Sequence, residues 1–568
     1  MRAFAAGPRV ALAADARRDA HHRVARDVAA AAAPRRHVVG ARRDAHARSP
    51  GPRARWPPPR GFASGPPGVA SAPSAVARAS APDAPDRGPG FGFGSRALDA
   101  SRLDARGRVP VDARTVILGI ETSCDDTGAA VIAGDGRVLG EAITGQSEIH
   151  ARWGGVVPNL AREAHEEAID DVVRRALAEA DVAPEQLSAV AVTVGPGLSM
   201  CLRVGVLKAQ SLCHEHDVPI VPVHHMEAHA LVARVPELIG EKANETNETN
   251  DASPRAPFPF LALLVSGGHN QLILATAIGE YRVLGGALDD ALGEAYDKTA
   301  RLLGLDVGGG GGPALEALAK RGDPKAYRFP VPLRKRKDCD FSYAGLKTAV
   351  RLAVERDLGK PADSDAFAKE AARDDRVSRD ETKDAPDASL DAEETARRDA
   401  IRADIAASFQ FAAVKHLEER TCRAIAWART SLAEEDEKRA EATEPSARDL
   451  KCVVVAGGVA ANATVRATLG SIASEAGLPL VLPPPRWCTD NGVMVAWAGV
   501  ERYRLGLAEE APSAEQMATP EDETGRPARR EVPLLPRWPL GTRDARATGD
   551  VKSSKTARIA PPLRGAPG

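Results

Sequence analysis

The chain has 568 residues, a formal net charge of −2 and only 4% aromatic residues. That length suffices for two or more domains with cores of their own, and the near-neutral charge gives no global basic field, so any nucleic-acid surface must be local. No apolar run reaches the roughly 18 residues a membrane span needs. The seven cysteines form no Cys-x-x-Cys pair, which suits a reducing compartment better than a disulfide scaffold.

Residues 1–60 are rich in arginine, alanine and proline and contain no glutamate. That bias predicts an organelle transit peptide, and the Gly/Pro/Ser/Ala-rich stretch that follows reads as a linker, so 1–112 is expected to be leader and disordered linker. Order is expected from Thr115. Val116–Glu121 is a buried strand, Asp125-Asp126-Thr127-Gly128 a turn, and Ala129–Ile132 the return strand. A helix at Ala161–Ala178, a strand at Ala189–Val194 closed by Gly195-Pro196-Gly197, a helix near 203–216 and a strand at Ile220–Val223 complete an α/β lobe over 113–256. The polar stretch 241–256 reads as a connector, and the Asn-Glu-Thr sequons at Asn244 and Asn247 carry little weight without secretion.

The opening then repeats in kind. Phe260–Val265 is an apolar strand, Ser266-Gly267-Gly268-His269 a tight turn and Gln271–Ala275 the return. A second lobe over 257–540 that begins like the first predicts a duplicated fold around a cleft. Within it, 362–399 is charged, mixed in sign and poor in large apolar residues, so a disordered insertion is expected before a helix resuming at Ile401. Lys451–Ala456 is the last strong strand, a helix lies near 491–504, and 541–568 is expected to be a disordered tail.

Five features carry chemistry. His225 and His229, four apart on a helix, share one face at a spacing that suits one metal ion. Glu227 lies roughly 200° around that helix from His225. It therefore points away from such a metal, unlike the acid of the zinc-protease pattern His-Glu-x-x-His. Small-residue turns at Ser123–Gly128, Ser266–His269 and Gly457–Asn462 allow backbone N–H groups to approach phosphate, yet none is a P-loop or a Rossmann fingerprint. Asp125 or Asp126 is an acid, base or ligand facing the cleft, or else a hairpin Asx turn. Asp490 is either the cap of the following helix or an oxygen ligand that completes a His-His-Asp set suited to iron or zinc. The run Arg334-Lys335-Arg336-Lys337 is either a solvated loop or a contact to a nucleic-acid backbone.

These residues together resemble one family. Gly119-Ile120-Glu121-Thr122-Ser123-Cys124-Asp125, His225-x-x-x-His229, Leu264–His269, Gly293–Lys298, Asp340–Lys347, Ala456–Asn462 and Cys488-Thr489-Asp490-Asn491-Gly492 look like the tRNA N6-adenosine threonylcarbamoyltransferases, formerly labelled O-sialoglycoprotein endopeptidases. Leu264 and His269 look like the bacterial and organellar branch. The resemblance implies an α/β fold of the actin and sugar-kinase (ribonuclease H-like) type, two similar lobes around a nucleotide cleft. It implies transfer of threonylcarbamoyl from threonylcarbamoyl-AMP to N6 of adenosine 37, in tRNAs that read codons starting with A. By the same resemblance His225, His229 and Asp490 hold one divalent ion per subunit, iron or zinc. Leu264, Val265, Ser266, Gly267, Gly268, Asp297, Gly312 and Asn462 bind the adenylate, and Asp125 serves the reaction. A homodimer, with helper subunits as an option, no membrane, and a mitochondrial location with the plastid as alternative follow as expectations. Asp126 stands where many members have glutamate, Gly308–Gly312 is unusually glycine-rich, and 362–399 has no common counterpart. An ATP-dependent small-molecule kinase or ATPase of the same fold is the competing reading, and it would not need the His-His-Asp set.

Overall fold

The computed structural model describes residues 98–151, 155–236, 256–305, 311–359, 392–440, 448–517 and 534–547. The expected leader up to residue 97, the insertion over 362–391 and the tail from 548 lie outside the described residues.

Two sheets carry the structure. The first comprises β1 (Val116–Glu121), β2 (Asp126–Ala133), β3 (Val138–Gly145), β4 (Ala189–Gly195) and β5 (Ile220–His224), in the order β3-β2-β1-β4-β5. The β1–β2 and β2–β3 pairs are antiparallel, and β4 and β5 run parallel to β1. The second comprises β6 (Phe260–Val265), β7 (Asn270–Ala277), β8 (Glu280–Gly286), β9 (Cys452–Ala456), β10 (Leu480–Val481) and β11 (Thr542–Arg543), in the order β10-β9-β6-β7-β8-β11. Its first five strands repeat the order and sense of the first sheet, with β11 added beside β8. The fold is thus a duplicated α/β unit of the actin and sugar-kinase type. Its central strands are almost wholly apolar because both faces are covered, with Glu121 on β1 and Thr193 on β4 as buried exceptions.

The helices are α1 (Ser147–Ala151), α2 (Pro158–Ala180), α3 (Ser199–His216), α4 (His225–Leu231), α5 (Leu292–Leu302), α6 (Gly311–Ala319), α7 (Ala344–Asp357), α8 (Ala392–Ala440), α9 (Ala463–Glu475), α10 (Gly492–Arg504) and α11 (Ala514–Met517). α2 and α3 pack on one face of the first sheet, and α10 packs across β1, β2 and β4. No helix among the described residues is long and apolar enough to cross a membrane.

Several boundaries differ from those expected. The linker does not run to residue 112. Leu98 and Val109 are buried, and the Val109 N–H bonds the Arg504 carbonyl at 3.0 Å, so this segment seals the end of α10. Irregularly spaced apolar anchors, Leu98, Leu103, Val109 and Val111, in a stretch rich in charged residues leave no periodicity to detect. The turn after β1 ends by Asp125, because β2 already begins at Asp126 and buries Thr127 against His165. The helix expected from Ile401 begins at Ala392 and runs unbroken for 49 residues. Its first turns are largely exposed, so their composition resembles that of an insertion.

The lobe boundary at 256/257 is crossed twice. α10 returns to the first sheet, where a Cβ on Gly119 would overlap the Ala496 backbone and one on Gly492 would overlap Ala129. Leu534 and Trp538 also pack on the first lobe. The chain then crosses back at β11, so residues 541–547 of the expected tail are ordered, with Asp544 buried.

Candidate metal centre and nucleotide cleft

β5 runs directly into α4, a seven-residue helix buried at every position. His224 caps it: Nδ1 accepts from the backbone N–H groups of Met226 (3.1 Å) and Glu227 (3.4 Å), and Nε2 donates to the Trp538 carbonyl at 3.0 Å. Burial lowers His224 to about 3, which keeps the ring neutral and Nδ1 able to accept. Histidine is not a usual cap, so sequence gave no sign of this role.

The next residue is the first of the predicted pair. His225 Nε2 lies 3.6 Å from Asp490 Oδ1, and His229 Nε2 lies 3.0 Å from the same oxygen. The three ligand atoms fall within 4.8 Å of one another. Asp490 is not the helix cap. Asn491 caps α10, its Oδ1 accepting from Met494 N–H at 2.9 Å, so the Asp490 carboxylate is left to the histidines.

Behind this set stands a residue for which the sequence suggested no separate role. Glu121, fully buried at the end of β1, lies 3.2 Å from His225 Nδ1. Its carboxylate also accepts the Thr193 hydroxyl and the Ser123 N–H, each at 2.6 Å. Such a partner fixes the proton on Nδ1 and aims the Nε2 lone pair at the ligand position. An acid closing an otherwise apolar buried strand was the available signal.

Burial opposes a charged His225, yet Asp490 and Glu121 outweigh it and hold the imidazole up at about 9. Burial likewise opposes the Asp490 carboxylate, and His225 and His229 hold it below the usual range. Burial, then Asp490, Asp125 and Glu121, push Asp126 up to about 7. Burial and the same two aspartates, Asp125 and Asp490, raise the Cys124 thiol. A pocket that collects carboxylates and retains protons to offset them suits a cation. Two imidazoles and one carboxylate are the donor chemistry of iron or zinc, with coordination positions left for a substrate oxygen. The residues present therefore fit one divalent ion.

Glu227 faces the other way. Its carboxylate accepts from Tyr281 OH (2.9 Å), Gly279 N–H (3.3 Å) and Arg502 Nη1 (3.0 Å). It ties α4 to the β7–β8 hairpin and to α10, and a protease-like role on the metal is excluded.

The second lobe supplies the open turns. Gly267 and Gly268 are exposed, and a Cβ on either would meet nothing within 4 Å. Leu264 and Val265 are fully buried, so these side chains set the strand under the turn and do not line the cleft. α5 starts against the turn, since a Cβ on Gly293 would lie 2.7 Å from the Ser266 carbonyl oxygen. α5 carries Asp297, whose Oδ1 accepts the Gly311 N–H at 2.8 Å beside Gly312. Glu316 then accepts the Ala463 N–H at 2.9 Å, next to Asn462. Ser266–Gly268, Asp297, Gly312 and Asn462 are thus linked around one rim. Asn462 is engaged there, capping α9 through Val465 N–H (3.0 Å) and donating to Gln410 (3.3 Å). His269 lies 6.2 Å from the His225 ring and joins the two lobes' contributions. Burial, then His225 and His229, lower it to about 4. The first-lobe turn at Ser123–Gly128 is different: Gly128 lies in β2, closed off by the Gly492 N–H, and offers no phosphate loop.

The family model for tRNA N6-adenosine threonylcarbamoyltransferase matches residues 137–497. The chain belongs to this family. A probable mitochondrial tRNA N6-adenosine threonylcarbamoyltransferase of Arabidopsis thaliana is 47% identical over 452 residues, 80% of each chain. The Granulibacter bethesdensis enzyme is 40% identical over 428 residues, 75% of this chain and 94% of its own. The mitochondrial enzyme of Xenopus tropicalis is 37% identical over 411 residues, 71% of this chain and 87% of its own. The matched span covers α4, the turns at Ser266–His269 and Gly457–Asn462, and Asp490; Glu121 and Asp125 precede it.

Proposed function

We propose that the chain transfers a threonylcarbamoyl group from threonylcarbamoyl-AMP to N6 of adenosine 37, in tRNAs reading codons that begin with A, inside a mitochondrion. The observation that carries this reading is the convergence of His225, His229 and Asp490 beside an open glycine turn, in a chain of this family. The kinase or ATPase alternative gives no reason for two buried histidines to meet one aspartate.

In this reading His225, His229 and Asp490 hold one divalent ion, iron or zinc. When bound, it supplies a Lewis acid for an oxygen of the donor. Glu121 fixes His225, and His224 fixes the helix on which both histidines sit. The Ser266–Gly268 amides approach the donor phosphate, and the Asp297, Gly312 and Asn462 rim receives its nucleoside. Asp125 accepts the proton lost by the adenine amine as it attacks the carbamoyl carbon, and AMP leaves. The protein acts as a homodimer. Residues 1–60 direct it to the mitochondrion.

The test is direct. The purified chain, an unmodified tRNA transcript and threonylcarbamoyl-AMP are combined, and the digested RNA is read by mass spectrometry. Threonylcarbamoyladenosine at position 37, absent when Asp125→Asn is used, is expected. Phosphorylation of a small molecule by ATP without nucleoside modification would sink the reading.

A further inference from the structure

Between α6 and the strand-like bridge at Phe341 runs an irregular segment, Lys320–Lys337, with eight basic residues and one acidic, in a chain whose net charge is −2. The sequence drew notice only to its last four residues, and the structure redraws the group. Arg336 turns inward to Asp338 and Asp340, and Lys320 pairs with Glu316 at 3.9 Å. Arg321, Lys325, Arg328, Arg334, Lys335 and Lys337 are exposed, and among the described residues none has an ion-pair partner.

The backbone beneath them is pinned. Asp404 accepts the Asp323 N–H at 2.8 Å, and Ser408 bonds both the Tyr327 N–H (3.1 Å) and the Asp323 carbonyl (3.2 Å). Arg420, fully buried on α8, donates to the carbonyls of Leu333 (2.6 Å), Arg336 (3.0 Å) and Asp338 (2.8 Å). Leu333 has φ of 48°, a left-handed conformation that a leucine rarely adopts. Its carbonyl is one that Arg420 holds. A solvated loop needs no buried guanidinium to hold a strained turn in place; a surface that must present charges in a fixed array does.

The segment's C-terminal end joins the cleft, and its N-terminal end continues α6, whose far end at Gly311 bonds Asp297. It ends where Phe341 N–H bonds the Gly286 carbonyl and Asp340 accepts the Gly286 N–H (3.1 Å). Ala287 N–H in turn bonds the Asn270 carbonyl, beside His269.

We propose that this pinned basic strap is the surface that receives the phosphate backbone of the tRNA and seats its anticodon arm over the cleft. The proposal rests on the transfer reading above, because an RNA acceptor has to reach the donor in that cleft. Fixed cations at the rim would grip the backbone without reading bases, leaving the adenine to the site itself.

Binding of an unmodified tRNA transcript to the full chain is measured by fluorescence anisotropy across a salt series. Two triple variants are compared with it: Arg321→Ala/Lys325→Ala/Arg328→Ala and Arg334→Ala/Lys335→Ala/Lys337→Ala. Melting temperature and metal content are expected to stay unchanged. Each triple variant is expected to make the slope of log affinity against log salt shallower by about 2, since each lost phosphate contact removes roughly 0.7–0.9. The dissociation constant is expected to rise at least about tenfold at physiological salt. The KM for tRNA should rise with kcat nearly held, and the charge-keeping Arg334→Lys should retain the slope. An unchanged slope and affinity in both triple variants, or no tRNA binding by the parent chain, overturns the strap. Failure of the transfer reading looks different: the parent binds tRNA with the strap-dependent slope yet forms no modified nucleoside.

Discussion

The two lobes share a strand order but differ at their strand ends. In the first, β1 ends in Glu121 and β5 in His224, with His225 next in line opening α4; all three are buried, and Glu121 lies 3.2 Å from His225 Nδ1. In the second, β6 ends in Ser266-Gly267-Gly268, with open space above both glycines. The same duplicated frame thus gathers candidate cation ligands where side chains are packed and leaves open space where they are missing. Histidines divide by their partners and not by lobe: burial lowers His224 of the first lobe and His416 of the second to about 3 each, whereas Asp490 and Glu121 outweigh burial at His225 and hold it up at about 9.

The sharpest test of this division is removal of a ligand. His225→Ala or His229→Ala is expected to lose metal and transfer together while the fold persists. The loss in metal affinity should exceed the roughly 10–100-fold that an outer partner contributes. Elemental analysis showing one ion per subunit in the double variant would defeat the assignment. Asp490→Asn should weaken metal binding without loss of the helix start, because Asn491 is the cap.

A smaller effect is expected one layer out. Glu121→Gln keeps the shape but removes the charge that fixes His225, so metal affinity should fall about 10–100-fold. Chelator competition measures this, and an unchanged affinity would reduce Glu121 to a packing residue.

Glycines separate the lobes by stability. Gly119→Ala forces a methyl group into the Ala496 backbone and should cost about 1–3 kcal/mol. Gly267→Ala meets nothing and should stay within about 0.5 kcal/mol, with any loss confined to the binding of AMP or donor. Denaturant midpoints read both; equal costs would remove the distinction between a packed and an open strand end.

His416 gives a pH signature to the second lobe. Its folded value is depressed, so the unfolded chain takes up the proton first as pH falls. The stability that goes with the neutral ring is whole above about 6.5 and is lost as pH falls from there toward about 3. The slope approaches about 1.4 kcal/mol per pH unit. His416→Gln should flatten that part of the curve, and an unaltered acid profile would show that the ring is not the titrating group. Asn491→Ala should cost about 1 kcal/mol for one helix cap, read as a shift in melting temperature.

Much of the fold was legible because its signals are local. Apolar runs such as Val116–Ile120 and Phe260–Val265 announce buried strands, and the resemblance in their openings announced the duplication. The His225/His229 pair was legible because both lie on one short helix. The start of α8 at Ala392 was not, since an exposed helical turn has the composition of a solvated loop. Nor was the ordering of 98–112, which rests on scattered apolar anchors and on the Val109–Arg504 backbone bond.

Sequence alone therefore determined the strands, the repeated architecture, the histidine spacing and the outward aim of Glu227, all consequences of periodicity within one element. Only the tertiary structure decided that α10 leaves its own lobe and delivers Asp490 to the histidines, that Asn491 takes over the cap, and that Glu121 backs His225. The meetings of Asp490 with His229 and of Glu121 with His225 join residues more than a hundred positions apart, and their geometry comes from how two sheets and one crossing helix pack; the Asn491 cap is local, but which of two adjacent residues takes it is decided by where Asp490 is drawn. No local pattern encodes that packing.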